Sequence, residues 1–248
     1  MIEARQLKKS FGPQRVLTGV DLQIDKGESV VIIGRSGGGK SILLKLLIGL
    51  FRPDEGDVLV AGENIAVMNE RQLLKVRRRF GMLFQGAALF DSLTVAENVG
   101  FVLQREGRLT GNQIALKVDE ALDMVELSGT QGKKPAELSG GMRKRVGLAR
   151  AIIYQPEIVL YDEPTTGLDP IVSDSIDRLI LRVCERLKVT TVAVTHDMRS
   201  ARRIGQRILM LHEGRIHFTG TPDAVFSAAD PVVHRFVNGI SDPKETYF

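Results

Sequence analysis

The chain has 248 residues, a net charge of +4 and 43% hydrophobic residues, a composition that allows a sizeable core and excludes a disordered polymer as the default. Its single cysteine, Cys184, excludes an internal disulfide framework, and we interpret it as a packed residue and not as a nucleophile. No apolar run approaches the roughly 18 residues that a membrane span requires, and the N-terminus lacks an apolar secretory core, so we expect a soluble protein.

The first third of the chain predicts strands, one glycine turn and one helix. Residues 1–28 are β-rich, and "VDLQID" (20–25) alternates apolar and polar side chains as a half-buried strand does. "VVII" (30–33) is wholly apolar and β-branched, which is typical of a strand buried on both faces. "SILLKLLIGL" (41–50) has helical spacing, and "DVLVAGEN" (57–64) predicts a strand that ends in a turn.

The rest of the chain predicts a helical segment followed by further strand–helix units. Residues 86–150 carry little strand signal, and we expect a helical subdomain there, with helices over 113–129 and 140–153. Strands return at "EIVLYDE" and "TTVAVTHD", separated by the helix "IVSDSIDRLILRVCERL". "RILMLHEGRI" predicts a late hairpin, and the stretch from residue 231 to 248 is interpreted as a tail. This order of elements predicts an α/β fold with a largely parallel sheet.

The turn "GRSGGGKS" (34–41) fits the pattern G-x-x-x-x-G-K-[ST] and lies between a predicted buried strand and a predicted helix. Small residues let successive backbone N–H groups turn inward around an anion, and the helix dipole adds positive potential. In this pattern Lys40 contacts the β- and γ-phosphates of a nucleotide, and the Ser41 hydroxyl ligates Mg²⁺. A flexible Gly/Ser linker is the alternative, and the flanking elements argue against it.

Two adjacent carboxylates, Asp162 and Glu163, follow the apolar strand "IVLY". A carboxylate at such a strand end holds the Mg²⁺ shell in P-loop proteins, and a second one can orient and deprotonate an attacking water. These residues predict a nucleotide-hydrolysing site without distinguishing kinases, GTPases and ATP-driven motors.

"LSGGM" (138–142), "YDEPTTGLDP" (161–170) and "VTHD" (194–197) make the sequence resemble the ATP-binding subunits of ABC transporters. The resemblance covers nearly the whole chain and preserves the family's motif order. It implies a P-loop NTPase core with an antiparallel β subdomain and an α-helical subdomain, over residues 1–230. It also implies ATP and Mg²⁺ as cofactors, and a head-to-tail dimer in which each ATP lies between the P-loop of one copy and "LSGG" of the other.

The resemblance further implies the site residues. Glu163 matches the general base, His196 the histidine that contacts the γ-phosphate, and Gln85 the residue that senses Mg²⁺ and water. Metal contacts are expected from Ser41, Gln85 and Asp162. Nucleotide contacts, including stacking of Phe11 on adenine, are expected from Phe11, Val16, Gly34, Arg35, Ser36, Gly37, Gly38, Gly39, Lys40, Ser41, Ser139, Gly140, Gly141 and Asp169. For Phe11 the alternative is a core phenylalanine.

Met142 stands where the commonest signature has Gln. The segments "FQGAALFDSLTVAENV" (84–99) and "ELSGGMRKRVGLARAI" (137–152) resemble the ATPases of Mce/Mla-type phospholipid transporters, and the tail "VVHRFVNGISD" (232–242) resembles theirs too. That resemblance implies an integral membrane permease and an Mce-domain substrate-binding protein as partners, at the cytoplasmic face of the inner membrane. Transport of amino acids or other small solutes is the alternative.

Other classes fit the sequence less well. Lys40 and Ser139 are 99 residues apart, which leaves no room for the coiled coil of chromosome-type ABC ATPases. Translation-type members carry two cassettes, and a kinase has no use for "LSGGM" or "GLDP". The short basic clusters near 75–79, 143–145 and 202–203 lack interleaved aromatic residues, so we expect no nucleic-acid partner.

Overall fold

The structure is a computed structural model that describes residues 1–241. Residues 242–248 of the expected tail lie outside the described residues. The strands are β1 (Ile2–Phe11), β2 (Gln14–Ile24), β3 (Ser29–Ile33), β4 (Glu55–Val60), β5 (Glu63–Asn64), β6 (Phe80–Leu83), β7 (Ile158–Asp162), β8 (Thr190–Thr195), β9 (Arg207–His212) and β10 (Arg215–Gly220). The helices are α1 (Lys40–Leu47), α2 (Glu70–Arg77), α3 (Val95–Glu106), α4 (Gly111–Met124), α5 (Gly140–Ile152), α6 (Pro170–Leu187), α7 (Met198–Ile204), α8 (Pro222–Phe226) and α9 (Pro231–Asn238).

The chain folds into two compact units. The first comprises Met1–Asn69 and the chain from Val194 onward, and the second comprises Glu70–Ala193. The expected α/β class is confirmed. Across residues 1–241, no helix is both long and apolar enough to cross a membrane.

The first unit contains an antiparallel sheet and a set of strands that carries the glycine turn. The antiparallel sheet has the order β2-β1-β4-β5, with Ile2 opposite both Ile24 and Val60. Strand β3 runs parallel to β9, and β9 forms the predicted hairpin with β10. Residues Val30 to Ile33 have no exposed surface, as their continuous apolar sequence predicts. Because β3 is buried from Val30 to its end at Ile33, the glycine turn begins at residue 34.

The second unit combines short buried strands with long helices. Strand β6 runs parallel to β7, pairing Phe80 with Ile158 and Leu83 with Tyr161. Helices α3 and α4 each begin with a capping box, in which a threonine and the residue three positions later satisfy each other's backbone N–H groups. The predicted helices at 113–129 and 140–153 are confirmed as α4 and α5, although α4 ends at Met124, before Gly129.

Several elements have no counterpart in the sequence predictions: α2, β6, α3, α7 and α8. Within the stretch interpreted as a tail, residues 231–238 form α9, which Asp230 caps by accepting hydrogen bonds from the N–H groups of Val232 and Val233. Strand β6 is only four residues long and contains Gly81, whose position against the carbonyl of Ala151 leaves no room for a side chain. A glycine in so short a strand weakens its β signal.

Candidate functional site

The glycine turn of the first unit is shaped by close backbone approach. It connects β3 to α1, and Gly39 adopts a φ of 95°, in the region that favours glycine. A Cβ at Gly39 would lie 2.9 Å from Cγ1 of Val16. The turn is therefore packed against Val16 of β2, whose expected contact with the adenine stays a prediction.

Lys40 is buried and folds back over the turn. Its ammonium donates hydrogen bonds of 2.8 Å to the carbonyl of Gly34 and 2.9 Å to the carbonyl of Arg35. Helix α1 begins at Lys40, so its positive end lies at the same place. The arrangement gathers a cation, backbone N–H groups and a helix N-terminus around one turn, which is the chemistry of a phosphate site.

Phe11 is 43% exposed at the end of β1, so the alternative of a core phenylalanine is wrong. Its ring packs edge-on against Phe51, with centroids 5.7 Å apart, and the ammonium of Lys9 lies 5.5 Å from its centroid. At 43% exposure, part of the ring is accessible to a planar ligand.

His196 is exposed and directly follows β8. The next residue, Asp197, caps α7 by accepting hydrogen bonds from the N–H groups of Arg199 (2.8 Å) and Ser200 (3.3 Å). The strand end and the cap fix the backbone on both sides of the histidine.

In the second unit Asp162 and Glu163 lie at the carboxyl end of β7 and are only 5% and 7% exposed. Glu163 has a φ of 49°, an uncommon conformation for a non-glycine residue. The hydroxyl of Thr166 donates a hydrogen bond of 3.0 Å to Oε2 of Glu163. Thr166 was not predicted as a site residue, although it lies in the quoted motif "YDEPTTGLDP".

Lys144 is a second residue that the sequence analysis missed. It is buried in α5, and its ammonium donates hydrogen bonds to the backbone carbonyls of Gln85 and Glu163. Burial lowers the pKa of Lys144, and the nearby carboxylates of Asp162 and Glu163 oppose that shift. The side chain of Gln85 is exposed, just beyond β6.

The "LSGG" stretch forms the start of α5. Ser139 is its N-cap and accepts a hydrogen bond of 3.2 Å from the N–H of Met142. A Cβ at Gly141 would lie 2.7 Å from Cγ1 of Val172, so only glycine allows α5 to pack this closely on α6. Asp169 caps α6 through the N–H groups of Ile171 and Val172. The structure thus brings together the "LSGG" and "GLDP" segments.

Cys184 belongs neither to the site residues of the first unit nor to those of the second. Its thiol contacts the hydroxyl of Thr191 at 3.0 Å, and burial raises its pKa. Both observations agree with a packed, unreactive cysteine.

Comparison with known proteins shows the family. Residues 17–166 match the family model described as "ABC transporter". Three curated relatives are Protein TRIGALACTOSYLDIACYLGLYCEROL 3 of Arabidopsis thaliana (40% identical, 98% of this chain, 74% of the relative), the probable ribonucleotide transport ATP-binding protein mkl of Mycobacterium leprae (40%, 96%, 69%) and the methionine import ATP-binding protein MetN of Geobacillus kaustophilus (39%, 99%, 73%).

A solved structure agrees with this assignment. It is a dimeric ATP-binding cassette in a post-hydrolysis state, bound to ADP and phosphate, with a TM-score of 0.82 and 34% identity over 90% of this chain and 99% of that one. The chain therefore belongs to the ABC transporter family. It is an ATPase of that family and an ATP-binding subunit, and the related cassette was solved as a dimer.

Proposed function

We propose that this ATPase drives the movement of phospholipids between membranes, together with an Mce/Mla-type permease. The observation that carries the lipid substrate is the segment after Gln85 together with Met142 in the signature, which resemble that subfamily. The relative named for trigalactosyldiacylglycerol, a glycolipid, supports a lipid substrate.

In the proposed reaction the turn at 34–41 holds the phosphates of ATP, with contacts from Gly34, Arg35, Ser36, Gly37, Gly38, Gly39, Lys40 and Ser41. Phe11 and Val16 contact the adenine.

Glu163 accepts the proton of the attacking water, and the hydrogen bond from Thr166 orients its carboxylate. His196 contacts the γ-phosphate. Burial of Glu163 favours the proposed role, because it limits the hydration that would weaken a base.

Mg²⁺ is proposed as the cofactor, held by oxygen atoms of Ser41, Gln85 and Asp162. A hydroxyl, an amide and a carboxylate are the oxygen donors that Mg²⁺ prefers, so this donor set fits the ion. When bound, the ion neutralises charge on the β- and γ-phosphates. No group of three or more His, Cys, Asp or Glu side chains within residues 1–241 offers a separate metal site.

A second copy of the chain is proposed to close each nucleotide site. Ser139, Gly140 and Gly141 begin α5, so their N–H groups and the positive helix end can face the γ-phosphate bound to the other copy. Asp169 would lie at the same dimer interface. The dimeric state of the related cassette supports this arrangement.

The permease is proposed to dock in an apolar groove on the second unit, with a volume of about 840 Å³. The groove lies along α2 and α3, and Leu74 on its wall is 59% exposed. Apolar residues in the wall are Leu74, Phe101, Val102 and Tyr154, and basic residues are Lys75, Arg77, Arg78, Arg105 and Arg108. Glu106, the acidic residue of the groove, pairs with Arg78. The excess of positive charge favours an amphipathic permease helix with acidic residues.

Through such a permease the chain would lie at the cytoplasmic face of the inner membrane, with an Mce-domain protein as the substrate-binding partner. Residues 1–230 are proposed to form the ATP-binding domain, with its helical subdomain at about 86–150, and residues 231–248 an appended tail. No nucleic-acid partner is proposed.

Import of an amino acid or another small solute is a second candidate. The observation that favours it is the 39% identity to the methionine importer, which nearly equals the 40% identity to the lipid-named relative. Overall identity to the two relatives therefore does not distinguish the substrates, and the permease must be identified directly.

Purification of the tagged chain from native membranes tests the substrate and the groove together. We expect a permease, an Mce-domain protein and bound phospholipid by mass spectrometry. The Leu74→Asp variant should lose the permease and keep its ATPase activity, whereas Leu116→Asp, on the exposed surface of α4, should keep both. A lipid-free permease with a solute-binding protein would contradict the phospholipid substrate. A Leu74→Asp variant that retains the permease would contradict the groove.

A further inference from the structure

Lys144 joins two segments of the second unit that are distant in sequence. Its ammonium donates one hydrogen bond to the carbonyl of Gln85 and another, of 3.1 Å, to the carbonyl of Glu163. The two acceptors are 59 and 19 residues away from Lys144 along the chain. One buried cation thus ties the backbone of the expected water-sensing residue and the backbone of the expected general base to α5.

The same face of α5 makes two further contacts with the segment after Gln85. A Cβ at Gly147 would lie 3.2 Å from Cβ of Ala87, which shows how closely the helix approaches. Arg150 donates hydrogen bonds of 2.6 Å to the carbonyl of Ala87 and 2.7 Å to that of Ala88. Positions 144, 147 and 150 are three apart, so they lie on neighbouring turns of one helix face. Residues 85–88 are therefore in contact with α5 at three positions, within less than two turns of the helix.

The attached segments are strained where α5 holds them. Glu163, Ala87 and Ala88 have φ values of 49°, 60° and 48°, in the left-handed region that non-glycine residues rarely adopt. Such conformations persist only where the surrounding structure determines them strongly. The hydrogen bonds from Lys144 and Arg150 provide that constraint, since each ends on a carbonyl of a strained residue or its close neighbour.

An apolar side chain at position 144 would avoid the cost of burying a charge. The chain instead keeps a lysine there, and burial lowers the pKa of its ammonium. Two backbone carbonyls accept hydrogen bonds from this ammonium, and the carboxylates of Asp162 and Glu163 favour its charged form. Since burying a charge is costly, we interpret the retention of this lysine as a requirement for one defined geometry.

We propose that Lys144 is a positioning residue for ATP hydrolysis. It makes α5 move as one body with the backbone at Gln85 and at Glu163, so that a displacement of the "LSGG" end of α5 reaches both. The inference rests on the proposed role of Glu163 as general base. Lys144 does not touch the substrate in this proposal; it determines where the carboxylate of Glu163 and the amide of Gln85 are held.

Steady-state kinetics of Lys144→Met and Lys144→Arg test this role. Methionine keeps the length of the side chain without donors, and arginine restores charged donors. We expect kcat of Lys144→Met to fall roughly ten- to hundred-fold, because small displacements of catalytic groups have effects of that size. KM and the affinity for ATP should change less than about twofold, and Lys144→Arg should recover most of kcat. Lys133→Met, an exposed lysine in the same unit, is the matched control.

Hydrogen exchange provides a readout that a general loss of stability would not give. In Lys144→Met, amide exchange should accelerate in residues 84–89 and 163–167 and remain unchanged in α4. If Lys144→Met does not fold, Lys144→Gln, which keeps neutral donors, takes its place: kcat should fall relative to the parent, and amide exchange should accelerate in residues 84–89 and 163–167 alone. Uniform acceleration across the unit, or equal losses in the Met and Arg variants, would overturn the proposal.

Glu163→Gln, assayed in parallel, separates the two hypotheses. Loss of turnover in Glu163→Gln with normal turnover in Lys144→Met would overturn the role of Lys144 alone. Normal turnover in Glu163→Gln would overturn the general base itself. Loss in both, with recovery by Lys144→Arg, is the result that we expect.

Discussion

The hydroxyl of Thr166 lies 3.0 Å from Oε2 of Glu163 and donates a hydrogen bond to it. Glu163 directly follows the buried strand β7, and Thr166 lies three residues further on, so the carboxylate is oriented by its own loop. This contact links the conformation of the loop to the position of the proposed base.

Replacing Glu163 with Gln should remove the base and keep the shape of the site. We expect kcat to fall roughly 10²- to 10⁴-fold, which is the usual contribution of general-base catalysis, while ATP still binds. In the presence of ATP, the Glu163→Gln variant should then accumulate as a dimer, which size-exclusion chromatography would detect. Glu157→Gln, at the exposed start of the same strand region, is the control and should retain its turnover. Unchanged turnover in Glu163→Gln would show that another group accepts the proton.

Thr166→Val should remove the hydrogen bond to Glu163 at nearly constant volume. A single hydrogen bond contributes about 0.5–1.5 kcal/mol, so kcat should fall roughly two- to tenfold without a change in ATP affinity. Thr166→Ser keeps the hydroxyl and should behave like the parent. Equal kinetics of the Val and Ser variants would mean that the contact does not orient the carboxylate during turnover.

Lys40→Ala should weaken nucleotide binding itself. The ammonium now held by the carbonyls of Gly34 and Arg35 would no longer be available to the phosphates. Hydrogen bonds to charged groups contribute about 1.5–3 kcal/mol, which corresponds to a roughly ten- to hundred-fold loss of ATP affinity in a fluorescent-nucleotide titration. Lys26→Ala, an exposed lysine of the same unit, should bind normally. Equal affinity of the two variants would count against the phosphate role of the turn.

Ser139→Asp separates helix capping from phosphate binding. Aspartate caps a helix about as well as serine, so the free energy of unfolding should hardly change. Its negative charge would face the γ-phosphate of the other copy and should prevent the ATP-dependent dimer in a Glu163→Gln background. Ser139→Asn, a neutral cap, should still dimerise. A dimer of normal stability with Ser139→Asp would contradict the proposed sandwich.

Phe11→Ala should lower the affinity for ATP through loss of stacking. Base–aromatic stacking contributes about 1–3 kcal/mol, so we expect a roughly five- to hundred-fold increase in Kd. Phe11→Tyr keeps the ring and should bind normally. Leu50→Ala, a similarly exposed apolar residue of the same unit, controls for the loss of apolar surface. If Phe11→Ala and Leu50→Ala bind ATP equally well, the base does not stack on this ring.

The sequence predicted those parts of the molecule whose signal is local. The strand at 30–33, the glycine turn and the start of α5 at Gly140 follow from short motifs and periodicity, and the structure confirms these elements. Strand β6 was not predicted because it contains Gly81, which weakens the β signal. The structure requires glycine there, since a side chain would collide with the carbonyl of Ala151. The exposure of Phe11 could not be predicted, because a terminal strand residue has the same sequence signal whether buried or exposed.

The contacts of Lys144 could not be predicted from the sequence for a different reason. Its partners are backbone carbonyls, which every residue possesses, so no side-chain pattern marks them. In the sequence it belongs to a run of basic residues, which is more often a solvated helix face. Only the packing of α5 distinguishes it from Arg143, which is exposed beside it.

The left-handed backbone of Glu163 has a consequence for the balance between durability and activity. A non-glycine residue in that conformation costs about 1–3 kcal/mol, and its buried carboxylate adds a desolvation penalty. Glycine at this position would relieve both and would discard the chemistry. Glu163, the proposed general base, therefore lowers the free energy of unfolding relative to what glycine would allow at this position. Variants selected for thermal stability alone would tend to lose Glu163.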